Sequence, residues 1–347
     1  MSIRPRNTII VGDALEELRR LPSGSIDTVF TSPPYFNLRR YQMPGKEIGA
    51  EATVDEWVSD LRAVFAEVHR VLVPTGSLWL NLGDSYSRHQ RFGAPPKSLL
   101  LGPERLALAL IEDGWILRNS GVWAKTNPMP SSVRDRLSCT WEHLYFFTKQ
   151  NRYLFDLDAI RIPHRTPVTK PNSKATSYLP VEWQAPLGSD NDGLVALKQQ
   201  GSVGHRLGKN PGDVMRLATA SYRGAHFATF PTSLVDQPIR ATCPQRRCAE
   251  CRRPTVRAIG RTAIKAATAC QCRAGQETGI VLDPFIGSGT VAIAAEAQGR
   301  HWLGIELNPD FAALAADRIE KARSRAPPGE RRNHQNNSRT QKGGDHA

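Results

Sequence analysis

The sequence predicts an α/β fold built on a doubly wound, largely parallel sheet, and three observations carry that expectation. Seven short apolar or β-branched runs recur along the chain, most of them separated by segments with helical spacing. One run, residues 26–30, is followed within three residues by two consecutive prolines, Pro33-Pro34. Proline cannot continue a central sheet ladder, so the chain leaves that strand as a stiff, extended segment. Another run, residues 280–283, leads into a tight glycine turn, Gly287-Ser288-Gly289, that opens a helix. Open α/β sheets bind ligands at the C-terminal ends of their strands, which makes both breaks candidate site segments.

Taken in order, residues 7–11 form a strand that stops at Gly12-Asp13. Residues 14–21 follow with helical spacing; Asp13 is a candidate N-cap and Pro22 ends the helix. Residues 26–30 form a buried strand. Residues 36–52 are a polar, glycine-containing loop, expected to be mobile. Thr53 and Glu56 make a capping box. Trp57, Leu61, Val64, Phe65, Val68, Val71 and Leu72 then fall on one face of a long helix, a stripe that serves core packing rather than binding. Pro74-Thr75-Gly76 ends it, and residues 77–82 are the next strand.

Residues 106–111 sit in a helix that ends near Gly114. Residues 117–124 and 143–148 are two strands with no obvious helix between them, which predicts antiparallel pairing at an edge. Trp123 and the run Tyr145-Phe146-Phe147 should face the interior. Residues 280–283 and 301–306, with a helix over 290–298 between them, complete the seven strands.

The chemistry of the first break is specific. Thr31-Ser32-Pro33-Pro34-Tyr35 offers a hydroxyl at Ser32, a carbonyl at Pro33 and an aromatic face at Tyr35. Two oxygens and a ring hold a planar base that carries an exocyclic amine: the oxygens accept its hydrogens and the ring stacks on it. A proline-rich loop around a core tyrosine would contain the same residues, so the pentapeptide alone does not decide. The second break has two readings as well. Gly287-x-Gly289-x-x-Ala292, with Glu306 downstream, fits the relaxed dinucleotide fingerprint of nicotinamide or flavin enzymes. The absence of a lysine after the glycines rules out a P-loop.

Taken together, Thr31-Ser32-Pro33-Pro34-Tyr35 and Val281-Leu282-Asp283-Pro284-Phe285-Ile286-Gly287-Ser288-Gly289-Thr290 resemble the motifs of amino-group DNA methyltransferases. The catalytic motif comes first and the glycine-rich motif last, which resembles the beta class, a circular permutation of the usual motif order. Gly12-Asp13, His226-Phe227-Ala228-Thr229-Phe230-Pro231 and Gly304-Ile305-Glu306 are secondary matches, so the resemblance runs along most of residues 7–320. It implies a Rossmann-like, doubly wound, seven-stranded methyltransferase sheet with an antiparallel edge and small insertions. It implies Ser32, Pro33, Pro34 and Tyr35 as catalytic residues. It also implies an S-adenosylmethionine site built from Asp13, Thr31, Phe230, Asp283, Pro284, Phe285, Gly287, Gly289, Thr290 and Glu306. Within that site Glu306 would accept from the ribose hydroxyls, Asp13 would contact the adenine, and residues 225–231 would pack around the methionine moiety.

By the same resemblance, Ser-Pro-Pro-Tyr is more usual in cytosine-N4 enzymes and Asp-Pro-Pro-Tyr in adenine-N6 enzymes, which places cytosine ahead of adenine. Methylation of a cytosine ring carbon needs a cysteine nucleophile, typically presented as Pro-Cys, and the chain has no such pair.

The chain has 347 residues, enough for one large core with insertions or for two domains, and a net charge of +13 that favours a polyanion. Double-stranded DNA is the expected partner, with no membrane. A noncatalytic DNA-binding protein of the same fold is a further reading, disfavoured by the intact Ser32–Tyr35, Asp283 and Glu306. A companion restriction endonuclease and a homodimer are both compatible with the motifs. No apolar run approaches a membrane span and residues 1–30 lack a signal-peptide pattern, so a cytoplasmic protein is expected.

Residues 1–150 read as the catalytic half and 212–325 as the cofactor-binding half of one domain. Residues 151–211 are proline-rich with interleaved basic and aromatic residues, which reads as an irregular module that contacts DNA, with a disordered linker as the alternative; the family resemblance implies that target recognition lies there. Residues 326–347 read as a disordered basic tail, with Lys321, Arg323 and Arg325 leading into it. A basic insertion at 243–273 holds five of the six cysteines. Cys248-x-x-Cys251 has knuckle spacing and Cys270-x-Cys272 would complete a structural zinc site, with Cys243 as a competing ligand and free thiols as the alternative. The arginines around it make the insertion a candidate phosphate contact. Cys139 is isolated and expected to be buried.

Overall fold

The computed structural model describes residues 6–38, 47–164, 207–220, 229–259, 264–268 and 270–325. From β1 (Thr8–Val11) the chain passes through α1 (Ala14–Arg20) to β2 (Ile26–Thr31), then through α2 (Val54–Val71) to β3 (Leu72–Leu82). α3 (Gly102–Glu112), β4 (Ile116–Lys125) and β5 (Trp141–Thr148) follow, and later β6 (Val214–Leu217) and α4 (Thr232–Thr242). The insertion contributes β7 (Arg247–Cys248), β8 (Thr255–Ile259), β9 (Ile264–Thr268) and β10 (Gln276–Glu277). β11 (Ile280–Asp283), α5 (Thr290–Ala297), β12 (His301–Glu306) and α6 (Pro309–Arg325) complete the domain.

Period-two alternation sets the layers. Val29, Leu78, Leu80, Phe147, Leu282 and Leu303 point into one core shared with Leu18 of α1, the stripe of α2 and Leu106 and Leu110 of α3. Their strand neighbours Phe30, Trp79, Phe146, Val281 and Trp302 point into a second core against Leu234, Val235 and Ile239 of α4, Val291 and Ala295 of α5 and Ile319 of α6. Both faces of the sheet are therefore covered, which is why its central strands read as continuous apolar runs. The expected interior positions of Trp123, Tyr145, Phe146 and Phe147 are met.

The sheet order is β1-β12-β11-β2-β3-β5-β4-β6. Only β5 runs against the rest: it pairs antiparallel with both β3 and β4, while the other pairs are parallel. Strand succession runs outward in one direction from β11 and in the other from β2, so the topological switch point lies between these two strands.

Three differences from the sequence expectation have physical reasons. Among the described residues the sheet has eight strands rather than seven, because Val214–Leu217 adds parallel to β4. Its inward Met215 and Leu217 are its only core contribution, too short a pattern to be read from sequence. Strand β3 begins at Leu72, straight after α2, with Pro74 inside it. A register irregularity between the pairs Ile26↔Leu72 and Thr28↔Ser77 takes up the intervening residues, so Pro74 sits where the ladder needs no donor. Cys139, expected to be buried, is exposed in the irregular stretch between β4 and β5.

Residues Asp156–Gly212 form a separate compact unit. In its described part Asp156 caps the 3-10 turn Leu157–Ala159, Ile162 bridges Lys209, and Arg161 donates to the Gly208 carbonyl. Residues 165–206, most of the expected target-recognition region, lie outside the described residues, as do 39–46 of the loop after Tyr35, 221–228 before Phe230, and the tail 326–347. Lys321, Arg323 and Arg325 belong to α6, where Arg323 pairs with Glu296 at 2.5 Å.

Candidate active site

The C-terminal ends of β2 and β11 meet at the switch point. There the Thr31 hydroxyl donates to Asp283 Oδ1 at 2.7 Å, and the Phe285 amide donates to the same oxygen at 3.0 Å. Thr31 and Asp283 are both buried. Burial pushes the Asp283 carboxyl up to about 7, against the lowering influence of those two donors.

Beyond β2 the two prolines turn the chain away from the sheet. Trp57 Nε1 on α2 donates to the Pro34 carbonyl at 2.9 Å and holds that turn in place. The turn sets Tyr35 against Gly83, just past β3, where a Cβ would lie 2.8 Å from the Tyr35 ring, so the chain passes this close only as glycine. The Ser32 hydroxyl donates to Tyr35 Oη at 3.3 Å, and the Tyr35 hydroxyl donates to Glu142 Oε2 at 2.7 Å. Asn81 Nδ2 donates to the same carboxylate oxygen at 3.1 Å, and Lys125 Nζ donates to Oε1 at 2.5 Å. Burial, and then the Glu142 charge, push the Tyr35 phenol well above its ordinary range, so it stays a neutral donor. The direction of donation is thereby fixed: with its proton turned toward Tyr35, Ser32 presents oxygen lone pairs.

Beyond β11, Pro284 and Phe285 lead into the glycine turn. Gly287 and Gly289 take left-handed φ values of 49° and 78°, and Gly289 is the N-cap residue of α5. Glu306, at the end of β12, fixes this turn: Oε2 accepts from the Gly287 amide at 2.9 Å and Oε1 from the Asn308 amide at 3.0 Å. Burial raises the Glu306 carboxyl and these backbone donors pull it down. Arg318 of α6 donates to the Ser288 carbonyl and to Thr290 Oγ1, tying the start of α5 to the last helix.

These segments line one cleft of about 770 Å³. Ser32, Pro33, Pro34 and Tyr35 line it, as do Asp13, Phe230, Pro284, Phe285, Gly287, Thr290 and Glu306. Thr31, Asp283 and Gly289 are not among the lining residues; they support the wall from behind. Asp13 also caps α1, accepting from the Glu16 amide at 3.0 Å, which meets the N-cap expectation. Phe230 packs against Phe30 with ring centroids 5.3 Å apart.

Sequence reasoning missed Asn81, Lys125 and Glu142. The one signal available was polar residues inside otherwise apolar strands. The cysteine expectation divides: the sulfurs of Cys248, Cys251, Cys270 and Cys272 all lie within 4.8 Å of one another, whereas Cys243 falls outside that group and is buried in the second core.

Comparison with known proteins follows the same lines. A family model described as DNA methylase (N6_N4_Mtase) matches residues 26–317. The type II methyltransferase M.XycI of Xanthomonas campestris pv. cyanopsidis is 36% identical over 336 residues, covering 90% of this chain and 88% of its own. The type II methyltransferase M.Cfr9I of Citrobacter freundii is 34% identical, covering 90% and 87%. In three dimensions the PvuII DNA methyltransferase (cytosine-N4-specific) superposes with a TM-score of 0.56 at 19% identity, over 92% of each chain, a likeness of fold. These matches set aside the dinucleotide-enzyme reading of the glycine turn. With its permuted site assembled at the switch point of the sheet, the chain belongs to the N6/N4 DNA methylase family of type II DNA methyltransferases.

Proposed function

We propose that this protein transfers a methyl group from S-adenosylmethionine to the N4 amine of a cytosine flipped out of double-stranded DNA, working in the cytoplasm. The observation that carries the reading is the ordered chain of donors from Ser32 through Tyr35 to Glu142, set in the same cleft as the glycine turn and Glu306.

The cleft fits S-adenosylmethionine. Its volume of about 770 Å³ suits a ligand of that size, and Pro284, Phe285, Ile286, Phe230 and Phe311 give it apolar walls. Glu306 offers a carboxylate whose remaining lone pairs suit ribose hydroxyls, and Asp13 offers a second acceptor near the adenine. When bound, the cofactor supplies an electrophilic methyl group.

The chain's own residues make the acceptor reactive. An exocyclic amine is conjugated with its ring, so its lone pair is a poor nucleophile. The Ser32 oxygen and the Pro33 carbonyl accept its two hydrogens and draw the nitrogen toward tetrahedral geometry, which localises the lone pair. Tyr35, held by Glu142 and Gly83, stacks on the base and offsets part of the few kcal/mol lost on unstacking. No covalent intermediate with the enzyme is needed: the methyl–sulfur bond would break as the methyl–nitrogen bond forms, the neutral thioether would leave, and the surplus proton on the nitrogen would pass to water.

Cytosine rather than adenine rests on the serine that opens the motif; adenine N6 is the second reading, since both bases present a similar amine. Residues 151–211 select the target sequence, and a companion restriction endonuclease reading the same sequence fits a protein with type II relatives. Single-molecule sequencing of DNA from cells expressing this gene tests the reading, because it reports the modified base and its context together. Modified cytosine at one recurring sequence is expected; unmodified DNA throughout would overturn it.

A further inference from the structure

We propose that Cys248, Cys251, Cys270 and Cys272 bind one structural zinc ion, and that this ion clasps the insertion to the N-terminal end of the catalytic strand β2.

The four sulfurs are already gathered, all within 4.8 Å of one another, and none is in a disulfide. A tetrahedral zinc with Zn–S bonds of about 2.3 Å needs its sulfurs roughly 3.8 Å apart, a contraction of about 1 Å or less. Two pieces of backbone do the gathering. At the first pair the chain makes a tight turn: the Arg252 amide donates to the Cys248 carbonyl at 3.0 Å with Arg252 at φ 60°, and the Glu250 and Cys251 amides face the Cys248 sulfur. Between the pairs β8 and β9 zip antiparallel from Thr255↔Thr268 to Ile259↔Ile264, which carries the second pair back beside the first. A soft, four-thiolate set with no open position is a structural zinc site rather than a catalytic one.

The described residues of the insertion add little apolar burial to hold it together. Among the described residues from 245 to 278 only Arg247, Cys248 and Pro254 are buried, and none is a large apolar side chain. A segment with no core of its own needs a cross-link or a metal to stay folded.

What the clasp secures is Arg247, next to Cys248. Its guanidinium is fully buried and meets Asp27 Oδ2 of β2 at 2.5 Å and Glu277 Oε1 of β10 at 2.9 Å. Arg252 reaches the Gly24 carbonyl just before β2. The β7–β10 ladder that carries Arg247 is only two residues long, too little to position a buried ion pair by itself. Asp27 lies near the start of β2 and Ser32 just past its end, so the metal acts at the opposite end of the strand from the cleft. The arginines expected to contact phosphate include two, Arg247 and Arg252, that bond inside the domain instead.

Metal analysis of the full chain, purified without added zinc, tests this directly. About one equivalent of zinc is expected, retained in Cys139→Ser and lost in the double variant Cys251→Ser/Cys272→Ser. Replacement of the ion by cobalt should give the visible spectrum of tetrahedral thiolate coordination, and a chelator should lower the melting temperature of the wild type. Less than about a tenth of an equivalent in cooperatively folded wild type overturns the proposal. So does full zinc retention by the double variant. If that variant does not fold, the wild-type content and the cobalt spectrum decide.

Discussion

The Thr31 hydroxyl and the Asp283 carboxylate, 252 residues apart in sequence, meet at 2.7 Å where the two halves of the permuted chain join. This bond ties the strand that leads into Ser32–Tyr35 to the strand that carries the glycine turn. Because burial raises the Asp283 carboxyl to about 7, well above its value in an unfolded chain, the folded state holds that proton more tightly than the unfolded state does. Its stabilising contribution is therefore full below about pH 4 and is lost as pH rises through about 7. Denaturant unfolding of wild type and Asp283→Asn across this range should show a difference that changes between about pH 4 and 7 and is flat above. A pH-independent difference would mean that Asp283 is ionised throughout.

Glu142 orders the donors around Ser32 and Tyr35. Glu142→Gln keeps the shape but leaves one acceptor oxygen for Tyr35 or Lys125 and sets an amide donor against the other, so kcat should fall while the cofactor Kd stays unchanged. Tyr35→Ala removes the stacking surface and should cost on the order of 10²-fold in transfer rate, with Pro34→Ala milder. Stopped-flow transfer assays beside calorimetric cofactor binding separate the two quantities. Loss of cofactor binding in Tyr35→Ala would place Tyr35 in the wrong half of the cleft.

Glu306 is expected to hold the cofactor ribose while pinning the Gly287 turn. Glu306→Ala should weaken S-adenosylmethionine binding by roughly 1.5–3 kcal/mol, the loss of charge-assisted hydrogen bonds. Titration calorimetry measures it, and unchanged affinity in a folded variant would remove the assignment.

The pair Arg247–Asp27 is a stability element. Arg247→Ala strands a buried Asp27 carboxylate and should destabilise the domain by about 3–5 kcal/mol, read from denaturant midpoints. Burial already pushes the Asp27 carboxyl up, so Asp27→Asn in that background should recover part of the loss. No recovery would show that Arg247 acts through Glu277 alone.

The parts of this fold that were legible in sequence are those set by local backbone rules. Pro33-Pro34 forbids continuation of β2, the Gly287 and Gly289 turn needs left-handed φ, and the stripe of α2 has helical period; the structure has each of them where the local rule puts it. The parts that were not legible depend on distant partners. Glu142 finds Tyr35 across 107 residues only because β5 lies beside β3, an order that no local pattern encodes. Pro74 reads as a helix stop, yet it lies inside β3, because the irregular pairing with β2 excuses its missing donor. Val214–Leu217 becomes a strand only when β4 offers it an edge.

In the proposed function Ser32 and Pro33 activate the exocyclic amine of cytosine. Incubation of the purified protein with S-adenosylmethionine and unmethylated DNA, followed by mass spectrometry of the hydrolysed nucleosides, tests it most directly. N4-methyldeoxycytidine is expected, abolished in the Tyr35→Ala variant. N6-methyldeoxyadenosine as the only product would contradict the choice of base, and no methylated nucleoside on any DNA would contradict the mechanism.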